Sequence, residues 1–413
     1  MTTVDVDAKI ALFWEKYIDK TVSYGITPDL VRWHVKHAEQ YIKANKPRLK
    51  SHSARNIDKY LDEKGRNVRL KGYQFSQIVD SLKILFVDVL RAPWATAYRW
   101  DDKKEQARSL EKSHSTIARQ PLDTNSMDTT VESDSVSASE MVKSEFSDEF
   151  DALISEIRTR HYSIRTEQSY VAWLVRFILF HKKRKPVSLQ AEHISAYLTH
   201  LAVNRMVASS TQKQALNALV FFYKNILKRD VEDIGTFTVS RKPARLPVVL
   251  SRGEINRLLS LIEDPVYSIM ASLLYGCGMR LMECVRLRVF DIDFDYEQIM
   301  IRNAKGNKDR VVPLPKILIK QLQDQIEYVK GLHAKDLDEG LGEVYLPTAL
   351  ERKYPNAAKE IGWQYLFPST RVSVDPRSNK VRRHHIHENG LQKKVKLAAG
   401  KAGVVKKENC HAL

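Results

Sequence analysis

The amino-acid sequence predicts a mostly α-helical protein with a small antiparallel sheet in its C-terminal part. Three observations carry that reading. Apolar residues return at helical spacing through residues 1–110 and again through 147–232. Around Ile299, Ile301 and Arg310–Leu314 the pattern alternates instead, on either side of Gly306-Asn307, a pair suited to a hairpin turn. Between the two helical stretches the composition turns polar and acidic: Asp123 to Glu149 holds eight acids against Lys143 alone. With 413 residues, the chain is too long for one ordinary core and implies two or three domains.

Charge narrows the partners. Lys and Arg number 67 against 50 Asp and Glu, a net +17 with a pI near 9.5. A chain this basic implies a polyanionic partner, nucleic acid ahead of a membrane surface. No apolar run reaches the length of a membrane span, and the opening residues lack a signal peptide's basic and apolar regions. A cytoplasmic protein is expected. Cys277, Cys284 and Cys410 are an odd, scattered set that fits buried thiols in a reducing compartment better than disulfides or a metal centre.

Taken in order, residues 1–110 are expected to form a self-contained helical unit. Phe13, Trp14, Tyr17 and Ile18 mark a first helix, and Leu30, Trp33, His37 and Tyr41 a second. Ile57, Tyr60 and Leu61 follow a basic break, and Ile78, Leu82, Leu85, Phe86 and Val89 mark a later helix. His34 and His37 read as face or core histidines rather than ligands. Residues 111–146 are expected as a disordered acidic linker, because they offer too little apolar surface to offset the entropy of ordering.

From 147 to 232 a second helical unit carries Leu153, Ile154 and Ile157, then Tyr170, Trp173, Leu174, Phe177 and Ile178. It echoes the first unit at a separation of 137 residues: Ile57, Tyr60 and Leu61 align with Ile194, Tyr197 and Leu198. The same separation pairs Leu82, Leu85, Phe86, Val89 and Leu90 with Leu219, Phe222, Tyr223, Ile226 and Leu227. Two segments on one separation predict a duplicated helical domain. Arg165, Lys182 and Arg184 are candidate phosphate contacts; a solvated helix end is the plain alternative.

After the basic linker Arg241–Pro247, Ser251 reads as an N-cap with Glu254 in the capping-box position of a helix over 252–263. Met270, Leu273 and Leu274 give the next helix its apolar face, and Tyr275 is expected in the core. Gly276 and Gly278 let the chain turn sharply, so that a helix begins near Arg280 with Glu283 one turn on. The hairpin then places Lys305 at its tip, and 317–328 reads as another helix. An arginine at a helix start and a lysine on a hairpin suit a phosphodiester. The planar guanidinium fork matches the non-bridging oxygens, and the lysine supplies a mobile proton. The alternative is an Arg280 paired with Glu283 or Asp291 and a solvated Lys305.

The run Gly276-Cys-Gly-Met-Arg-Leu-Met-Glu283, with Ala304-Lys-Gly-Asn-Lys-Asp-Arg310, closely resembles the tyrosine recombinase (phage integrase) family. Ala304 departs from the family's usual glycine before the hairpin lysine. The resemblance implies a SAM-like, core-binding DNA-binding domain at 147–232, carried by Tyr-Ser-Ile-Arg-Thr-Glu-Gln-Ser-Tyr from Tyr162 to Tyr170; the echo of that unit makes residues 1–110 an extra SAM-like domain, which has no counterpart in the family's shorter members. It implies an α+β catalytic domain at 246–413 that closes a clamp around DNA, with self-association on that DNA. Arg280 becomes the first catalytic arginine, Lys305 the hairpin lysine and His411 the active-site histidine. These would act with a tyrosine nucleophile through a 3′-phosphotyrosine, with no metal or nucleotide cofactor.

Residues 331–360, followed by Gly362-Trp-Gln-Tyr-Leu-Phe-Pro-Ser369 and Arg382-Arg-His-His-Ile-His387, look like the insertion and flanking motif of integron integrases. That likeness implies integration of gene cassettes, using folded single-stranded cassette sites and a double-stranded integron site. It places Trp363, Pro376, His384 and His385 around a base protruding from the folded strand. From the residues alone, Trp363 is a core aromatic and Arg382–His385 a zinc-like cluster. No acid or cysteine at ligand spacing supports the metal. By the same resemblance the catalytic domain is expected to be C-terminally incomplete, since the second arginine and the tyrosine would lie beyond His411. A catalytically inactive DNA-binding remnant is therefore the alternative reading.

Overall fold

A computed structural model describes residues 3–45, 49–111, 113–117, 135–160, 162–229, 249–302, 308–404, 406 and 410. They fall into two compact units: one joins the residues up to 111 with those from 249 onward, and the other comprises the residues between. The architecture is mostly helical, with a three-stranded and a two-stranded antiparallel sheet among the described residues. None of the described helices is long and apolar enough to cross a membrane.

The chain opens with α1 (Thr3–Ser23), α2 (Pro28–Ala44), α3 (Ala54–Gly65), α4 (Gly72–Lys83) and α5 (Trp100–Gln106). A π-helical turn, Ile84–Val89, extends α4. These helices have a core of their own, with Tyr17, Tyr41, Tyr60, Phe75 and Phe86 buried in it. The buried face of α2 is Val31, His34, Ala38 and Tyr41: Tyr41 is buried as expected, while the other three lie one position after Leu30, Trp33 and His37. Trp33 lies outside, with Arg32 and Lys36 over its ring at 5.5 and 5.0 Å. His34 is inside because its ring reaches Ser81 Oγ at 3.1 Å, which satisfies it. The expectation of a self-contained N-terminal unit needs one correction: these helices also pack into the same unit as the C-terminal segment.

The second unit holds α6 (Ser135–Glu145), α7 (Ser147–Thr159), α8 (Ile164–Phe180), α9 (Ala191–Val203) and α10 (Ser209–Asn225). Much of the expected linker lies outside the described residues, but its last third is the helix α6. Val142 is fully buried there beside Phe146 and Phe150, so the acidic composition hid one apolar anchor. The positions that the expected duplication pairs are buried in both units. Ile57, Tyr60, Leu61, Leu82, Leu85 and Phe86 and their counterparts Ile194, Tyr197, Leu198, Leu219, Phe222 and Tyr223 are all core residues.

The C-terminal segment begins with α11 (Arg252–Ser260), closed by the expected capping box. Ser251 Oγ accepts the Glu254 N–H at 3.3 Å, and Glu254 Oε2 accepts the Ser251 N–H at 2.7 Å. The helix stops at Ser260, three residues earlier than its pattern suggests. The apolar α12 (Pro265–Cys277) starts on Asp264, whose Oδ1 accepts the N–H groups of Val266 and Tyr267 at 2.9 and 3.1 Å. Then follow α13 (Leu281–Val285), β1 (Ile292–Asp293), β2 (Gln298–Ile301), β3 (Arg310–Pro313) and α14 (Ile319–Asp338). The strands run β1-β2-β3, with Ile299 opposite Val312 and Ile301 opposite Arg310. Beyond α14, which is longer than the predicted helix, lie α15 (Thr348–Lys353), β4 (Ser373–Val374), β5 (Val381–Arg382) and α16 (Glu388–Lys401). Cys277, Cys284 and Cys410 are free and buried in this core, and burial pushes the Cys277 and Cys410 thiols up to about 11.

Candidate functional site

The site is built where α12 ends. Gly278 takes the left-handed φ of 56° that stops this helix, which an L side chain adopts only under strain. Gly276 lies against Pro315, where a Cβ would come within 3.0 Å of the ring. The tight turn delivers Arg280 to the first position before α13. Its backbone N–H donates to Glu283 Oε2 at 2.9 Å and its Nη1 to Glu283 Oε1 at 2.8 Å.

Glu283 is the hub. From β3, Arg310 adds Nη1 to Oε1 at 3.0 Å and Nη2 to Oε2 at 2.8 Å, so one carboxylate accepts four charge-assisted or backbone bonds. Burial alone would raise this carboxyl, but the bonds from Arg310 and Arg280 outweigh it and hold it below the ordinary range. The carboxylate is 8% exposed while Arg280 remains 49% exposed. Only Nη1 of the Arg280 guanidinium is engaged among the described residues, leaving most of its donor fork on the surface. Of the two sequence alternatives, the pairing with Glu283 therefore occurs, and it orients Arg280 rather than covering it. Asp291 instead accepts Arg302 Nε at 2.7 Å and the Arg288 N–H at 2.9 Å. Arg310, which the sequence offers as a strand start and the last residue of the hairpin motif, completes the cluster; its pairing with a glutamate on α13 leaves no periodic signal. Lys305 and His411 lie outside the described residues.

A second patch lies on the segment after α14. Phe290, 63% exposed, stacks on the half-buried Trp363 with ring centroids 5.9 Å apart and planes 6° from parallel. The Arg302 guanidinium covers both rings at 5.4 and 5.9 Å, and Arg288 approaches Trp363 at 5.8 Å. Trp363 is thus neither a plain core aromatic nor an isolated one. Pro376 sits half-buried in the turn between β4 and β5, where Asp375 Oδ1 accepts the N–H of Arg377 at 2.9 Å.

His384 and His385 are corrected by the structure. They are 2% and 0% exposed, so neither ring offers a face to an incoming base. His385 Nδ1 donates to the Ile386 carbonyl at 2.7 Å and its ring meets Tyr365 edge-on at 5.1 Å. His384 Nε2 lies 3.6 Å from the buried Asp375. Their neighbours are structural too: Arg383 grips Asp336 through two bonds of 2.6 and 2.7 Å. Tyr275, expected in the core, is 39% exposed.

In the second unit Arg165, Lys182 and Arg184 are all exposed, Arg165 at the start of α8 and the other two just after its end. Lys182 and Lys183 both hold left-handed φ values, 55° and 59°. That conformation is tied down by the Lys183 N–H donating to the Ile178 carbonyl at 2.9 Å. Two consecutive lysines are thereby fixed on a helix end.

The second unit thus exposes basic residues at the ends of α8, and the C-terminal segment holds an oriented, half-exposed arginine at a turn-to-helix junction. Comparison with known proteins supplies the family. Residues 150–233 match the N-terminal SAM-like domain of phage integrases, and residues 249–413 match the phage integrase family. An integrase/recombinase of Escherichia coli is 43% identical over 263 residues, spanning 64% of this chain and 78% of that one. The tyrosine recombinase XerA of Thermococcus kodakarensis is 41% identical over 87 residues, 21% of this chain and 31% of its own. Among solved structures, the XerH site-specific recombinase bound to its difH substrate aligns at 17% identity and a TM-score of 0.39, over 73% of this chain and 79% of that one. The chain belongs to the phage integrase family of tyrosine recombinases.

Proposed function

We propose that the chain serves site-specific DNA recombination, with Arg280 as the arginine that grips the scissile phosphate. The observation that carries this is the Glu283 hub. A buried carboxylate fixes Arg280 through side chain and backbone while leaving the rest of its fork exposed. A pre-oriented guanidinium needs no reorganisation when charge builds up on the phosphate oxygens. Lys305 is the proposed proton donor to the departing 5′-oxygen, and His411 the assisting histidine.

The partner proposed is DNA, contacted by Arg165, Lys182 and Arg184 in the second unit, with self-association on that DNA. Within the family, the integron lineage is the finer reading. It rests on the 331–387 motifs and on Trp363, whose stack with Phe290 and Arg302 supplies the aromatic and cationic platform that an unpaired base requires. Pro376 would border that platform.

DNA binding over a salt series tests this reading. Affinity for DNA should fall steeply as salt rises, and Arg280→Ala should weaken binding to a recombination site. Affinity that ignores salt would overturn the recombinase reading.

A further inference from the structure

The N-terminal helices meet the C-terminal segment along a strip formed by residues 369–372. The Thr370 N–H donates to the Gln106 carbonyl at 3.1 Å and the Val372 N–H to the Gly65 carbonyl at 3.0 Å. Ser369 Oγ adds a bond to the Gln106 carbonyl at 2.8 Å. Between them Arg371 is almost wholly buried, and its guanidinium donates to the carbonyls of Leu70 and Ala107, at 2.6 and 3.4 Å, and to Ser109 Oγ. All three acceptors belong to loops and a helix end of the N-terminal unit, and none is a carboxylate. A buried cation without them would bear a large desolvation penalty. Around this strip, Asp264 at the start of α12 also accepts Gln106 Nε2 at 3.2 Å, and Lys393 and Lys394 of α16 pair with Glu105 and Asp102 of α5.

Gly65 adds an independent observation. It ends α3 without a left-handed φ, so the helix itself does not call for glycine. A Cβ placed there would lie 2.4 Å from the Thr370 carbonyl oxygen. Its counterpart in the duplicated unit, 137 residues on, is Ala202, an exposed residue near the end of α9 with an ordinary Cβ. The glycine answers to the neighbour and not to the bundle.

We propose that strip 369–372 is a docking surface for the N-terminal helical unit of the same chain, fitted through Gly65 and Arg371 and maintained without the covalent connection between them. The chemistry selects a helical bundle whose connecting loops present neutral acceptors, because Arg371 is matched by two carbonyls and a hydroxyl rather than by an acidic side chain. This inference stands apart from the recombination chemistry.

The test uses the full chain, with a site-specific protease sequence introduced between residues 118 and 134 and cut after folding. Native size-exclusion over a dilution series should show both fragments co-eluting. Gly65→Leu should weaken that association at least tenfold, and Arg371→Ala at least tenfold as well. Gly65→Ala is the milder wedge: alanine favours the helix, so any release it causes cannot come from a weakened α3. Circular dichroism of each uncut variant checks that the helices persist. Separation of the wild-type fragments on cutting would overturn the proposal, as would Gly65→Leu fragments that hold together as tightly as wild type.

Discussion

Replacing Glu283 with glutamine isolates what the hub does. The carboxylate accepts from Arg280 N–H and Nη1 and from Arg310 Nη1 and Nη2, all at 2.8–3.0 Å. Glutamine keeps one oxygen and turns an NH₂ toward the other two donors. At about 1.5–3 kcal/mol for a hydrogen bond to a charged group, losing two amounts to about 3–6 kcal/mol gross. Arg280 is half-exposed and Arg310 a third exposed, so solvent recovers part of it, and about 2–3 kcal/mol is expected. The pH dependence has a definite sign. The folded carboxyl sits below its ordinary value, so its contribution is complete above the unfolded pKa of about 4.3 and fades as pH falls through the folded one. Native-state hydrogen exchange of peptides covering residues 265–301 measures the gap between wild type and Glu283→Gln. It should be level from neutral pH down to about 5 and shrink in more acid solution. A gap under about 0.5 kcal/mol at neutral pH, or one that persists unchanged into strong acid, would refute the argument.

Trp363→Ala and Phe290→Ala should each reduce the preference for a bulged hairpin over a matched duplex, by about 1–3 kcal/mol if a stacked base is lost. Equal losses on both substrates in competition binding would return Trp363 to a packing role. Changing Lys182 and Arg184 together to alanine should lower binding to every DNA and flatten the plot of log affinity against log salt by about 0.9 for each phosphate no longer neutralised. An unchanged slope removes them from the interface. Val142→Ser should destabilise the second unit by about 2–3 kcal/mol, since a fully buried valine is exchanged for a hydroxyl. Urea unfolding followed at Trp173 reads this, and a shift below about 0.5 kcal/mol would mean that α6 does not anchor there.

Local chemistry makes parts of this structure readable from residues alone. Ser251 and Glu254 satisfy each other within one turn, and Ile299 and Ile301 alternate into the core, so neither needs a distant partner to be recognised. The duplication is legible for a similar reason: the apolar positions repeat because both bundles bury the same faces. Legibility ends where the deciding partner is far along the chain. Three positions of the α2 stripe shift by one because Ser81 gives His34 a polar partner inside, while Trp33 is stabilised outside by Arg32 and Lys36. His384 and His385 look like surface ligands in sequence, yet Asp375 and Tyr365 receive them in the interior. The contact of Gln106 with Ser369 spans 263 residues and has no periodic trace at all.

The paired bundles also bear on how this chain changes over generations. The interiors of the two bundles are under the same pressure: tyrosine at 60 corresponds to tyrosine at 197, and isoleucine at 57 to isoleucine at 194. The ends of α3 and α9 do not share that pressure. A substitution at Gly65 is tolerated only if the chain at Thr370 moves with it, whereas Ala202 and Val203 can drift singly because they are exposed. Divergence between the copies should therefore gather at helix ends rather than in cores. Placing the end of α9 at the end of α3 would keep the buried tyrosine at position 60 and still produce a defective protein, because alanine's one extra carbon would meet a carbonyl oxygen at position 370.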